Sequence, residues 1–301
     1  MKYYLYLLIS ISLFCCKSKQ NKGLEFEIKR LLEKTEGDFA IAFQDLHREE
    51  NNFFLNENEK FHAASTMKVP VMIEMYHQAA QGKFSLNDSI LVKNKFKSIV
   101  DDKSYEMNAT EDSEPSLYDQ IGEQMTLFDL MYRMITLSSN LATNILVKEI
   151  GSKNITASMK RLGAYNTEVL RGVEDQKAYD LGLNNVTTAK DLMIIIKSIA
   201  TPSVELTQDQ IAMIKVLKDQ TFNDIIPRFL PNDVEIAHKT GSITGLQHDA
   251  GVVYLPNGES YVLILLSKNL KDFDQGTLTL AKMSKIFYEH ISALEVQKND
   301  Q

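Results

Sequence analysis

The most constraining feature of the sequence is the stretch 69–80, which is apolar almost all the way round when it is drawn as a helix. Such a helix belongs inside a sizeable core rather than on a protein surface. Directly before it stands the motif Ser65-Thr66-Met67-Lys68. Side chains three residues apart lie on the same face of a helix, about one turn from each other. The chain is therefore predicted to fold around a buried helix that begins with a serine and a lysine on one face.

The pairing of Ser65 with Lys68 points to nucleophilic chemistry. A serine hydroxyl is a poor nucleophile until a neighbouring base takes its proton. A lysine in a desolvated environment can lose its charge and act as that base. The simpler alternative is a helix N-cap serine followed by a lysine whose stem covers apolar surface. Because Ser-x-x-Lys arises by chance about once in a chain of this length, the motif needs partners elsewhere in the sequence.

Residues 1–22 are predicted to be an export signal and its tether rather than part of the fold. A charged start is followed by the apolar run 3–14, which is too short to span a membrane, and then by polar residues. Leu13-Phe14-Cys15-Cys16 resembles a bacterial lipobox. We expect a protein of the periplasm or cell envelope, anchored to a membrane only by a lipid on Cys16. The alternative is a plain signal peptide whose cysteines are incidental.

Composition narrows the class of protein. With 301 residues, 44% apolar and 24% charged, the chain can form a sizeable globular core. Its net charge of −7 argues against nucleic acid as a partner, and we find no basic cluster in the folded part. The only two cysteines lie in the signal segment, so the mature domain has no disulfide and no cysteine metal site. We expect a monomer that needs no metal or other cofactor.

The predicted elements place strands at both ends of the chain and helices in the middle. The predicted strands are 39–46, 52–55, 236–239, 250–255 and 261–267. The predicted helices are 24–36, 69–80, 127–137, 141–150, 153–162, 189–200, 208–218 and 275–293. We expect an α/β (α+β) fold in which both chain ends form one antiparallel sheet flanked by helices, with an all-helical lobe inserted.

In sequence numbers, the domain is expected to cover 23–301. The sheet lobe comprises 24–62 plus 219–297, and the helical lobe comprises 63–218. The polar and acidic segment 94–124 is interpreted as a solvated excursion, and the segment 168–186 as a structured loop.

Two further short motifs support the Ser65 motif. Ser138-Ser139-Asn140 falls in a predicted turn between two helices, where the simpler interpretation is a C-cap followed by an N-cap. Lys239-Thr240-Gly241-Ser242 falls at the end of a predicted strand, where a glycine permits close approach of a substrate backbone. Its simpler interpretation is a strand end and a turn. The three motifs together, in this order and on these elements, are much harder to explain as coincidence.

With these motifs the chain resembles the class A β-lactamase family, within the wider group of penicillin-recognising serine hydrolases. Ser65-x-x-Lys68 and Lys239-Thr240-Gly241 match the first and third motifs of that group. Ser138-Ser139-Asn140 resembles the Ser-Asp-Asn segment, with Ser139 in place of Asp. The segment Asp249-Ala250-Gly251-Val252-Val253-Tyr254 resembles the strand that follows. The resemblance extends over nearly the whole mature chain.

The resemblance implies a role for each matched residue. Ser65 is the acylated nucleophile, Lys68 is its base or proton relay, and Ser138 passes a proton to the leaving nitrogen. Asn140 binds the side-chain amide of the substrate. The remaining substrate-binding residues come from the third motif. Lys239 and Thr240 bind the substrate carboxylate, and Gly241 lies beside them. The backbone N–H groups of Ser65 and Ser242 form the oxyanion hole. Acyl transfer needs such a nucleophile, proton path and set of donors.

The sequence departs from the family where an acyl-enzyme would be hydrolysed. The family has an Arg-x-Glu-x-x-x-Asn segment whose Glu and Asn hold the hydrolytic water. This chain reads Arg171-Gly172-Val173-Glu174-Asp175-Gln176-Lys177-Ala178. Glu174 is the candidate catalytic base, with Asp175 behind it, and Ala178 stands where the Asn would be. A surface Glu174 in a loop salt bridge is the open alternative. The strand arginine of the family is also absent, with His248 near its position.

Three functions are consistent with this resemblance. The leading one is a serine β-lactamase of class A type that hydrolyses the β-lactam amide through a Ser65 acyl-enzyme. The second is a related hydrolase of the DD-peptidase kind, which acts on peptidoglycan peptides or on esters. The third is a receptor domain that binds β-lactams with little turnover. The partner in each case is a small β-lactam or a cell-wall peptide, and the Glu174 region separates the first function from the others.

Overall fold

The structure is a computed structural model that describes residues 22–201 and 207–299. The expected signal segment and the lipidation site Cys16 lie outside the described residues and stay predictions. In the described part of the chain, no helix has the length and apolar character needed to cross a membrane.

The structure contains the predicted helices and strands, together with several short ones. The helices are α1 (22–32), α2 (Lys68–Ala80), α3 (Leu127–Thr136), α4 (Asn140–Ile150), α5 (Ser152–Arg161), α6 (Gln176–Asp180), α7 (Ala189–Ala200), α8 (Gln208–Lys218) and α9 (Phe273–Asn299). The strands are β1 (Asp38–Asp45), β2 (Phe53–Leu55), β3 (Phe61–His62), β4 (Ser89–Leu91), β5 (Phe96–Lys97), β6 (Ser104–Tyr105), β7 (Gln124–Thr126), β8 (Val186–Thr187), β9 (Glu235–Ile243), β10 (Leu246–Tyr254) and β11 (Ser260–Lys268). Short 3₁₀ helices cover Glu49–Asn51, Ala64–Met67 and Pro115–Gln120.

A five-stranded antiparallel sheet joins the two ends of the chain. Its strand order is β2-β1-β11-β10-β9, so the N-terminal β1 pairs with the C-terminal β11 over its whole length. The remaining strands form three two-stranded ribbons, β3–β8, β4–β7 and β5–β6. The predicted fold class, an antiparallel sheet built from both chain ends and flanked by helices, is confirmed. The inserted lobe was expected to be all-helical, but it also contains the ribbons β4–β7 and β5–β6.

Each face of the sheet is covered by helices, because successive side chains of a strand point to opposite faces. On one face Ala42 and Ile264 join a large core with α2, α3, α4 and α7. On the other face Phe43 and Leu265 pack against α1 and α9, where the ring of Phe43 stacks on Phe287 with 4.6 Å between centroids. Helix α2 is surrounded by this first core, and the prediction of a buried helix after Ser65 is confirmed.

One strand is longer than predicted, and one further expectation about the chain was wrong. Strand β9 runs to Ile243 rather than to residue 239, because it forms a hairpin with β10, so the Lys239 motif lies in the last part of the strand and is paired with β10. The segment 94–124 is not simply solvated, since it contains β5, β6 and the 3₁₀ helix Pro115–Gln120. It also buries Asp112, whose carboxylate accepts hydrogen bonds from backbone amides elsewhere in the fold.

The close packing of β9 against β10 depends on Gly251. A Cβ at this position would lie 2.7 Å from the carbonyl oxygen of Ala237 in β9, and backbone cannot move aside as a flexible side chain can. We expect Gly251→Ala to lower the free energy of unfolding by roughly 1–3 kcal/mol, the usual cost of overpacking. Gly23→Ala in α1 is the control, because nothing lies within 4 Å of its added Cβ. Urea unfolding measures both, and equal stabilities of the two variants would contradict this account.

Candidate active site

Ser65 lies where the helical part of the fold meets the edge of the sheet. It belongs to the 3₁₀ helix Ala64–Met67, directly before α2. Ala64 has a φ of 45°, in the left-handed region that costs energy for alanine, and its N–H donates to Nδ1 of His62 at 3.0 Å. A Cβ at Gly241 would lie 3.1 Å from the backbone N of Ser65. The glycine therefore allows β9 to lie close against the serine turn.

Lys68 is fully buried at the first residue of α2, and its ammonium reaches the turn between α3 and α4. Its Nζ donates to the carbonyl oxygen of Ser138 at 2.6 Å, to Ser138 Oγ at 3.1 Å and to Asn140 Oδ1 at 2.9 Å. Burial lowers the pKa of Lys68 to about 7, against the opposing charges of Asp112 and Glu174. Near neutral pH a large share of Lys68 is therefore a free amine that can accept a proton.

Lys239 reaches the same serine from β9. It is fully buried, and its Nζ donates to Ser138 Oγ at 3.1 Å and to the carbonyl oxygen of Thr240 at 2.9 Å. Burial holds the pKa of Lys239 well below its usual value, the charge of Lys68 lowers it further, and Asp249 opposes both effects. A hydroxyl can accept two hydrogen bonds and donate one. Ser138 is therefore placed to move a proton between two amines that repel each other when both are charged.

The turn that carries Ser138 and Asn140 has a strained backbone. Ser138 has a φ of 56°, and Ser139 acts as the N-cap of α4, accepting from the N–H of Ala142 at 3.3 Å. Capping was the simpler interpretation of this motif, and it holds for Ser139. Ser113 strengthens the turn by donating from its hydroxyl to the carbonyl oxygen of Ser138 at 2.9 Å.

Asp112 is a residue of this site that the sequence analysis missed. It is only 7% exposed, and its carboxylate accepts from the N–H of Asn140 at 3.0 Å and from that of Leu141 at 2.9 Å. A negative charge is favoured there because the positive end of the α4 dipole lies at these amides. Position 139 has a serine where the related motif has an aspartate, so the carboxylate at this turn comes from a distant segment. No local pattern in the sequence marks that contact.

Glu174 approaches the same turn from the loop between α5 and α6. It is half-buried with a φ of 61°, and its Oε1 accepts from Asn140 Nδ2 at 2.7 Å. Burial raises the pKa of Glu174, the hydrogen bond from Asn140 opposes this, and the charge of Asp112 adds to the rise. The amide of Asn140 thus joins Glu174 to Lys68. No described lysine or arginine forms an ion pair with Glu174, in contrast to the alternative of a loop salt bridge.

Asn144 of α4, a second residue without a sequence signal, holds the loop that carries Glu174. Its Oδ1 accepts from the N–H of Val173 at 2.6 Å, and its Nδ2 donates to the carbonyl oxygen of Val173 at 2.9 Å. A Cβ at Gly172 would collide with this amide. Compared with the related motif, this chain has one extra residue between Arg171 and Glu174. Gly172 lies in that interval, and its missing side chain leaves room for the amide of Asn144.

The residues that could assist Glu174 are engaged elsewhere. Asp175 is buried and accepts from the hydroxyl of Ser98 at 2.9 Å, while it also caps α6. Asn184 accepts from the guanidinium of Arg171 at 3.2 Å. Ala178 is fully buried in α6 and has no polar side-chain group. Asp175 and the amide oxygen of Asn184 thus hold other parts of the loop, and Ala178 has no group that could hold a water molecule beside Glu174.

A cavity of about 530 Å³ lies among these groups, a size typical of small-molecule sites. Ser65, Asn140 and Glu174 line it, together with Ser242 of β9. Thr240 is half-buried on the same strand. Between residues 22–201 and 207–299, no group of three or more His, Cys, Asp or Glu side chains is arranged to hold a metal ion.

His248 does not provide a cation at this site. It is fully buried on β10, and its Nε2 lies 2.9 Å from the carbonyl oxygen of His62. Burial lowers the pKa of His248 to about 4, so the ring is neutral at pH 7. Its contact ties β10 to the segment that leads into Ser65.

Comparisons with known proteins identify the family and the fold of the chain. The profile of the beta-lactamase enzyme family matches residues 23–291. The chain is 25% identical over 240 residues to the beta-lactamase CARB-3 of Pseudomonas aeruginosa, which covers 78% of each chain. Its fold is similar to that of a beta-lactamase from Sphaerobacter thermophilus, with a TM-score of 0.76, 22% identity and 90% and 97% of the two chains covered. It is equally similar to a protein named PBP-A, with a TM-score of 0.76, 22% identity and 90% and 96% coverage.

The position of Asp112 predicts a charge effect on Lys68 as well as a stabilising effect. In Asp112→Asn the carboxylate no longer opposes the effect of burial, so the titration midpoint of Lys68 should move to lower pH. Loss of the capping charge should also lower the free energy of unfolding by about 1–3 kcal/mol. NMR of ¹³Cε-labelled lysine, assigned with Lys68→Ala, measures the midpoint.

Asp191→Asn is the matched control, because Asp191 is 2% exposed and also accepts from a backbone amide, that of Asn166 at 2.6 Å. This variant should lose similar stability and leave the titration of Lys68 unchanged. If the midpoint of Lys68 is the same in Asp112→Asn as in the wild type, the electrostatic role assigned to Asp112 is wrong.

Proposed function

The chain belongs to the beta-lactamase enzyme family, and from this premise we propose that it is a serine β-lactamase of class A type, acylated on Ser65. The observation that carries the proposal is the arrangement around Ser138, whose hydroxyl lies 3.1 Å from each of two buried lysines. This proton path lies beside a cavity lined by both Ser65 and Glu174. An acyl transfer needs such a nucleophile, relay and base around one site.

In the acylation step, Ser65 Oγ bonds to the β-lactam carbonyl carbon and gives its proton to the neutral amine of Lys68. The carbon–nitrogen bond of the ring then breaks, and the nitrogen takes a proton from Ser138. Lys68 returns its proton to Ser138, with which it is in contact at 3.1 Å. A pKa of about 7 for Lys68 supports this role, because the best catalytic base titrates near the working pH.

Backbone donors and the β9 motif bind the substrate in this proposal. The N–H groups of Ser65 and Ser242 stabilise the oxyanion, which requires the close approach that Gly241 permits. Asn140 binds the side-chain amide, and Lys239 with Thr240 binds the carboxylate. An anionic substrate favours the charged form of Lys239 and so restores the proton that burial and Lys68 disfavour.

Hydrolysis of the acyl-enzyme is assigned to Glu174. A raised pKa and the contact with Asn140 support a role as the base that activates water. Ala178, however, offers no group to hold that water from the other side, and a displacement of about 1 Å costs roughly 10²-fold in rate. We therefore expect acylation to be faster than deacylation.

The buried Ala178 favours one second candidate, a related hydrolase that acts on cell-wall peptides or esters and releases β-lactams slowly. A receptor domain would release β-lactams even more slowly, so that it shows little turnover. Steady-state hydrolysis of a chromogenic cephalosporin by the purified protein separates the candidates. Sustained turnover supports the β-lactamase, and a single turnover per molecule supports the other two.

Acylation of Ser65 is tested by intact-mass analysis after exposure to a β-lactam. We expect an adduct of one β-lactam on the wild type and none on Ser65→Ala, because only the Ser65 hydroxyl can form the ester. Ser113→Ala removes a neighbouring hydroxyl that binds the 138–140 turn, and it should still form the adduct. An adduct that persists in Ser65→Ala would contradict the assignment.

The departure at Ala178 predicts burst kinetics, with one fast turnover followed by a slow steady rate. Glu174→Gln should slow the steady rate further by roughly 10²–10⁴-fold, the usual contribution of a positioned base, and leave the burst amplitude unchanged. Glu111→Gln is the control, because Glu111 lines the same cavity and its loss should change the steady rate only a few-fold. Stopped-flow traces without a burst, or equal steady rates in wild type and Glu174→Gln, would contradict this assignment.

A further inference from the structure

A second cavity, of about 560 Å³, lies beside the loop that carries Glu174 and has a basic lining. Lys93, Lys95 and Lys97 come from the strand-like segment around β5, and Lys148 comes from α4. None of the described residues that line the cavity is acidic. The expectation that the folded part has no basic cluster was therefore wrong. Lys93, Lys95 and Lys97 stand at alternate positions of one short stretch, and the fold adds Lys148 to them.

None of the four lysines forms an ion pair in the described part of the chain, and a neighbouring carboxylate, that of Glu149, lines an adjoining cavity with Lys93, Lys95 and Lys148 rather than this one. The ion pairs formed there by lysines involve other residues, namely Lys29, Lys103, Lys177, Lys218, Lys268 and Lys285. Like charges gathered around one concave surface repel each other and attract anions, even in a protein with a net charge of −7. A bound anion would relieve that repulsion.

Arg171 adds a buried cation to the wall of this cavity. It is 6% exposed, and its guanidinium donates only to uncharged acceptors, the carbonyl oxygens of Leu183 and Gly172 and the amide oxygen of Asn184. No described carboxylate lies within ion-pair distance of it, and Asp175 acts on it only from farther away. Burying a charge is costly unless a charge of opposite sign pairs with it. A guanidinium has five N–H groups, and these contacts use three of them. Arg171 also lines the cavity beside Ser65, so it lies between the two cavities.

The rest of the lining is largely apolar. Phe96, Val147 and Leu170 line the cavity together with the ring of Tyr105. Lysines act as point charges that suit phosphate oxygens, whereas this surface suits an aliphatic or aromatic group. We propose that the cavity binds a phosphate-type oxyanion attached to an apolar group. This ligand is distinct from the substrate of Ser65.

The cavity is connected to the loop that carries Glu174. Arg171 and Gly172 are part of that loop, and the hydroxyl of Tyr105 donates to the carbonyl oxygen of Val173 at 3.2 Å. A ligand in the cavity should therefore change the environment of the backbone amides of Gly172 and Val173, which NMR can detect.

The experiment uses 1-naphthyl phosphate as the probe, with isothermal titration calorimetry at low and high salt. We expect saturable binding that weakens as salt increases, because the charges carry much of the attraction. Inorganic phosphate and 1-naphthol, each of which lacks one half of the probe, should bind at least about 10-fold more weakly.

A second experiment asks whether the phosphate group belongs to a lipid. The protein is mixed with vesicles of phosphatidylcholine, with and without phosphatidic acid. Binding only to the vesicles with phosphatidic acid assigns a lipid ligand, and binding to neither kind of vesicle assigns a soluble one.

Two triple variants with the same change of charge locate the site. Lys95→Gln/Lys97→Gln/Lys148→Gln should bind 1-naphthyl phosphate at least about 10-fold more weakly than the wild type. The control is Lys190→Gln/Lys215→Gln/Lys282→Gln, built from exposed lysines outside the cavity, and its affinity should stay within about two-fold. If the first triple variant does not fold, the single variant Lys148→Gln replaces it.

Amide shifts in the wild type provide the independent check. Shifts on binding should concentrate at Gly172, Val173 and Lys97. The proposal is overturned if 1-naphthyl phosphate does not bind at low salt, if both triple variants lose the same affinity, or if the shifts concentrate at Ser65.

Discussion

Two buried lysines that share one serine hydroxyl are the arrangement on which the rest of the site depends. Lys68 and Lys239 are fully buried, and each donates to Ser138 Oγ at 3.1 Å. Burying an ammonium ion costs several kcal/mol, so both pKa values are lowered and proton transfer near neutral pH becomes accessible. The lysines come together only if α2, the α3–α4 turn and β9 keep fixed positions relative to one another. The large core on one side of the sheet and the helices α1 and α9 on the other hold them there.

Backbone strain is concentrated in the same place. Of the six non-glycine residues with positive φ in the described part of the chain, three belong to this site: Ala64, Ser138 and Glu174. Each such conformation costs of the order of 1–3 kcal/mol and persists only where the surroundings enforce it. The surroundings are specific here, since His62 holds the amide of Ala64, Asp112 holds the turn after Ser138, and Asn144 holds the loop before Glu174. The site is thus built in advance of any substrate.

The sequence predicts the parts of this arrangement that are local. The apolar pattern of 69–80 and the strand-like segments at both ends were enough for the fold class, because each reports the burial of its own element. The contact of Asp112 with α4 and that of Asn144 with Val173 have no periodic or capping signal, because both depend on which distant segments the fold brings together. The basic cavity depends on distant segments only in part, since Lys148 and Arg171 join three lysines that are close together in the sequence, at 93, 95 and 97. The polarity of 94–124 indicated exposure, which holds for most of its carboxylates, but Asp112 is buried against the backbone amides of α4.

The most direct test of the central claim is the pH dependence of the acylation rate in single-turnover stopped-flow experiments. If the neutral amine of Lys68 is the base, the rate should be low in acid and rise to a plateau as Lys68 loses its proton, with an apparent pKa near 7. A rate that does not change between about pH 5 and pH 9, or that rises only near the ordinary lysine pKa of about 10.4, would contradict the account.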